Sequence, residues 1–78
     1  MNYTIITTQD LQFEQFLDIV KNGNIYSVEL TDKQEFVRVS FRTLKEAQEI
    51  YLKLVNYFIN GLYSFEQRKS ILLESKEV

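Results

Sequence analysis

Apolar and polar positions change period along the chain, and each change predicts an element. Tyr3-Thr4-Ile5-Ile6-Thr7 is short and rich in β-branched residues, the composition of a strand. Thr7 or Thr8 is then placed to cap a helix in which Phe13, Phe16, Leu17 and Val20 fall at i, i+3, i+4 and i+7, with Asn22-Gly23 as its stop. Residues 25–30 alternate Tyr26, Val28, Leu30 against Ile25, Ser27, Glu29, and residues 36–42 alternate again after the polar turn Thr31-Asp32-Lys33-Gln34, which predicts a hairpin. Thr43-Leu44-Lys45-Glu46 is a Thr-x-x-Glu capping box opening a long helix that reaches Asn60-Gly61. Ser64-Phe65-Glu66-Gln67 is a second box, opening a shorter helix that carries Ile71, Leu72 and Leu73.

The resulting order is β-α-β-β-α-α, an α+β domain over residues 1–75 with a polar tail at 76–78 that frays. A strand-helix-strand start calls for a right-handed parallel crossover, and the hairpin then adds an antiparallel strand. The expectation is a three-stranded mixed sheet with the helices packed on one face. The first strand lies beside either the second or the third, and the split β-α-β arrangement, which places it beside the third, is preferred.

Composition narrows the function classes. With 78 residues, 45% hydrophobic and 26% charged, the chain is apolar enough to fold and too short for two cores. A domain of this size buries only about 60–65% of the surface its unfolded chain exposes, so self-association would help it. The absence of Cys and His removes thiolate nucleophiles, disulfides, zinc sites with nitrogen or sulfur ligands and imidazole bases. Lys69 and Ser70 are neighbours on a helix and cannot face one another, and there is no glycine-rich phosphate loop. No enzyme activity, cofactor or metal is expected. Apolar runs are too short to span a bilayer, and Met1 is followed by Asn2, Tyr3 and Thr4 rather than a basic and then apolar leader, so a cytoplasmic location is expected.

Three groups of residues are candidates for contact. On the long helix, Leu44, Ala47, Tyr51, Leu54, Val55, Phe58 and Leu62 form the centre of an apolar stripe, and Ile50, Tyr57, Leu52 and Ile59 widen it to about 220°, against roughly 100° for an ordinary surface helix. Either the neighbouring helices cover both flanks, or Leu52, Tyr57, Ile59 and the nearby Tyr63 meet another chain, most simply a second copy. On the expected first helix, Asp10, Glu14 and Asp18 recur every four residues as an acidic stripe, either a solvated face or a docking surface for a basic partner. On the third strand, Phe36, Arg38, Ser40 and Arg42 share a face, and an aromatic with two arginines on an open sheet resembles a single-stranded nucleic-acid platform. The net charge of −2 opposes that use, and pairing of Arg38 or Arg42 with Glu29 is the simpler one.

The function expected is a small non-catalytic protein-binding module, a regulator or inhibitor that occupies a surface on a larger macromolecule. The alternatives are a structural homo-oligomeric subunit and a weak single-stranded nucleic-acid binder. If the surplus apolar arc serves a homodimer, Leu52→Asp or Ile59→Asp leaves a folded but monomeric protein by light scattering behind a sizing column. Unfolding of either variant would instead make the flank internal core.

Overall fold

A computed structural model describes residues 2–75, so the tail expected at 76–78 lies outside the described residues. The fold is α+β, with strands β1 (Asn2–Asp10), β2 (Gln15–Asn22), β3 (Ile25–Thr31) and β4 (Phe36–Phe41), followed by helices α1 (Leu44–Ile59) and α2 (Phe65–Glu74). The strands form one antiparallel sheet in the order β1-β2-β3-β4, each paired with its neighbour in sequence.

Two expectations are corrected. The segment expected as the first helix is β2, and the sheet is therefore a four-stranded antiparallel meander rather than a three-stranded mixed sheet with a crossover. The first strand lies beside residues 15–22, and neither proposed placement against the hairpin occurs. The helical spacing of Phe13, Phe16, Leu17 and Val20 arises because β2 is apolar on both faces: Leu17 and Ile19 point to the core, while Phe16 and Val20 are half-buried on the other side. A strand with two apolar faces loses the period of two that would identify it.

The turn residues close the meander. Asn22 pairs with Ile25, so Gly23 and Asn24 are the two central residues of a hairpin. A positive φ, 62°, occurs at Gly23 alone of the two, as a type II′ turn requires. Asn-Gly punctuates this chain as expected, but the element it ends is a strand. Between β1 and β2, the amide of Phe13 donates to Asp10 Oδ1 at 2.9 Å, and Glu14 takes a left-handed conformation with φ 55°. Thr7 and Thr8 cap nothing: their hydroxyls bond the Asp18 carboxylate and the Tyr51 hydroxyl, tying β1 to β2 and to α1.

The expected hairpin and both later helices are present. Thr43 Oγ1 accepts from the Glu46 amide at 3.2 Å and donates to Glu46 Oε1 at 2.8 Å, and Ser64 Oγ accepts from the Gln67 amide at 3.3 Å. The register places Leu17, Leu30 and Val37 side by side, and likewise Ile19, Val28 and Val39, on the face that α1 covers with Ala47, Tyr51 and Leu54 and α2 with Phe65 and Leu72. β1 adds no buried side chain to this cluster; it is an edge strand hung on β2. The opposite face of the sheet carries no helix among the described residues.

Leu54→Ala is expected to lower unfolding stability by about 2–5 kcal/mol in urea titration, since Leu54 is fully buried between sheet and helices. Glu14→Gly is expected to raise it by about 0.5–1 kcal/mol, because glycine adopts the left-handed turn without a side-chain penalty.

Candidate functional site

The most unusual chemistry lies where the β1–β2 turn, the C-terminal end of α1 and the start of α2 meet. Arg68 falls on the stripe of α2 defined by Phe65 and Leu72, at i+3 and i+7 from Phe65, and is therefore carried inward; it is 3% exposed. Its Nη1 donates to Oε1 of Gln15, the first residue of β2, which faces the helices along with Leu17 and Ile19. Gln15 is itself anchored, its Nε2 donating to the Tyr63 carbonyl at 2.6 Å. The guanidinium carbon sits 4.6 Å from the centre of the Phe58 ring.

These contacts satisfy the guanidinium only in part. Arg68 Nε is buried with no hydrogen-bond partner, and no described carboxylate lies within ion-pair distance of Arg68. Burial pushes its pKa below the ordinary arginine range, while Asp10 acts in the opposite direction from a longer distance. An arginine remains charged in such surroundings, so the fold holds a cation out of water against a neutral amide and an aromatic face. Removing an unpaired charge from water costs several kcal/mol.

Beside Arg68 is a cavity of about 190 Å³ with walls of Leu17, Val55, Phe58 and Ile59. Thr8, Asp10 and Gln15 supply its polar edge. Its surroundings are aromatic: Phe13 stacks on Tyr63 with ring centres 4.6 Å apart, and Phe58 meets both rings edge-on, at 6.0 and 5.0 Å. Phe13 and Tyr63 keep substantial exposed surface, Ile59 is 72% exposed and Leu11, in the adjoining turn, 75%.

The candidates from the sequence are dispersed around this centre. Of the apolar flank, Ile59 lines the cavity and Tyr63 holds Gln15 through its carbonyl, while Leu52, 58% exposed, lies two turns back on α1 and Tyr57 is exposed nearby. Ile50 packs against the core while Tyr57 on the same side of the wide arc is exposed, and the Leu52–Ile59 side is open. The three acidic residues share no helix face: Asp10 ends β1 beside the cavity, Glu14 sits in the turn 2.8 Å from Lys33 Nζ, and Asp18 lies on β2 with Thr7 on the uncovered face of the sheet. On that face Arg38 is tied to Glu29 Oε2 through Nε at 3.0 Å and Nη2 at 2.9 Å, with its guanidinium 5.3 Å from the Phe36 ring. Arg42 follows β4 and is exposed, apart from that pair.

Gln15 and Arg68 were not among the sequence candidates, and Phe58 was read only as part of the apolar stripe of the long helix. Arg68 had a signal, since the helical period that buries Phe65 and Leu72 buries it as well. Gln15 had none until residues 15–22 are known to be a strand. Among the described residues there is no cluster of acidic side chains able to hold a metal ion, and no helix long and apolar enough to cross a membrane. Comparison with known protein families, with curated proteins and with solved structures finds no match.

Gln15→Leu is expected to lower stability by about 1–3 kcal/mol, because it leaves a second nitrogen of the Arg68 guanidinium, Nη1, without a partner. Adding Arg68→Met to Gln15→Leu is expected to recover most of that loss, a non-additivity that urea titration of the two single variants and the double variant measures.

Proposed function

We propose that this chain is a small non-catalytic protein-binding module that acts by occupying a surface on a larger macromolecule. The observation that carries the reading is the exposed apolar and aromatic surface of Leu11, Phe13, Ile59 and Tyr63 around a concave site with a buried arginine behind it. Aromatic residues and arginine around a pocket are the usual composition of the energetic centre of an interface. A stacked pair such as Phe13 and Tyr63 offers contact area that is already ordered, so little side-chain freedom is lost on binding.

Self-association is the second reading, and β1 favours it. Its nine residues form a sheet edge exposed along almost their whole length, with Tyr3, Ile5 and Ile6 uncovered, and such an edge is a template for another strand. The nucleic-acid reading is weakened by the pairing of Arg38 with Glu29, which removes one of the two positive charges that a phosphate backbone would need.

A photo-crosslinking residue introduced at Ile59, and separately at Ile5, distinguishes the readings in the source cells. The interface proposed here predicts a discrete heterologous adduct from position 59 and none from position 5. Adducts of the chain with itself alone, from either position, would replace the proposal with the self-association reading.

A further inference from the structure

We infer that the cavity beside Arg68 is a binding site for a short aliphatic carboxylate, with the acid group on the guanidinium and the stem against Leu17, Val55 and Ile59. The argument starts from the donors. Nη1 of Arg68 is committed to Gln15 and the flat face of the guanidinium to Phe58, while Nε is enclosed without a hydrogen-bond partner and Nη2 makes no hydrogen bond among the described residues. Nε and Nη2 form the edge whose two parallel N–H groups a carboxylate accepts in bidentate fashion, and since Arg68 already lies on the cavity wall, binding requires a small shift of its side chain to turn the enclosed Nε toward the cavity. An anion there would supply the counter-charge that no described residue places within ion-pair distance of Arg68.

The walls decide which anion. Phosphate and sulfate need donors on several sides, whereas this cavity offers one guanidinium and is otherwise lined chiefly by aliphatic and aromatic carbon. Its volume of about 190 Å³ corresponds to roughly six waters at about 30 Å³ each, room for a molecule of six or seven heavy atoms and too small for a nucleotide. Asp10 is the one carboxylate on the cavity edge, and its Oδ1 already accepts from the Phe13 amide. It repels an incoming anion, so it sets the affinity without filling the site. The same chemistry is presented by a free acid and by the terminal residue of a peptide chain with an aliphatic side chain.

The experiment is calorimetric titration of the whole protein with valerate, with pentanamide as the uncharged control. Valerate is expected to bind at least about tenfold more tightly than the amide, the difference made by a charge-assisted bidentate contact. Arg68→Met is expected to fold with unchanged or higher thermal stability and to lose the discrimination, and Arg68→Lys, which keeps the charge without the fork, to weaken binding about tenfold. Asp10→Asn is expected to tighten valerate binding several-fold. Equal affinity for acid and amide, discrimination that survives in Arg68→Met or Arg68→Lys, or no heat at all with tens of millimolar valerate would overturn the inference. N-acetyl-alanyl-leucine, compared with its C-terminal amide, separates the sources: tighter binding than the free acid assigns the site to a chain terminus, and weaker binding assigns it to a small acid. Valerate binding by a protein that forms no heterologous adduct from position 59 would leave this site standing and remove only the interface.

Discussion

A guanidinium held out of water with no carboxylate partner among the described residues constrains the whole end of this molecule where strands and helices meet. Arg68 is brought inward by the stripe of α2, and each of its contacts comes from a different element: Gln15 from β2 and Phe58 from α1, with the Tyr63 carbonyl behind Gln15 from the connection between the helices. Moving any of these by a few ångströms would leave a buried cation with still fewer partners. The arrangement thus fixes the relation of α2 to the sheet while leaving one edge of the guanidinium unsatisfied. A stability-driven design would put an apolar side chain there, since well-packed apolar replacements of buried charges are often neutral or stabilising. The unpartnered Nε of this arginine is the observation on which the proposed carboxylate site rests.

The same asymmetry runs through the sheet. Its centre is conventional: Leu17, Leu30 and Val37 in one row and Ile19, Val28 and Val39 in the next, closed over by α1 and α2. β1 lies at the margin of that cover, reached by α1 through the Tyr51 hydroxyl on Thr8, and the cavity opens between the end of β1 and the last turns of α1. Two helices of 16 and 10 residues cover β2, β3 and β4 and leave β1 as an exposed edge. The apolar surface left on α1 and in the β1–β2 turn follows from this shortage of cover, and it surrounds the cavity.

Where the sequence was legible, the signal was local. Thr43 with Glu46 and Ser64 with Gln67 mark the two helix starts because capping depends on residues three apart; the alternation of residues 36–42 survives because only one face of β4 is buried, and that of residues 25–30 because the side chains buried on the second face of β3, Ser27 and Glu29, are polar. Residues 13–20 misled for a physical reason: Phe16 and Val20 on the uncovered face of β2 fill the polar half of a strand pattern, and with Phe13 and Leu17 they fall at helical spacing. The acidic stripe depended on that helix and dispersed with it, placing Asp10 alone at the cavity. Ile59 and Tyr63 were within reach because a surplus apolar arc is visible from spacing alone. Arg68 and Gln15 were not, because a polar residue on an apolar stripe is normally discounted, and its partner here lies 53 residues away in the chain.

The burial of Arg68 is tested most directly by solvent exchange of arginine Nε protons, followed by nitrogen-edited magnetic resonance with no ligand present. The chain has three arginines, and in the structure Arg42 is exposed, Arg38 is paired at the surface and Arg68 is enclosed. One Nε–H signal, removed by Arg68→Met, is expected to persist as pH is raised after that of Arg42 has washed out. Loss of all three signals together at rates typical of exposed guanidinium groups would contradict the enclosed site.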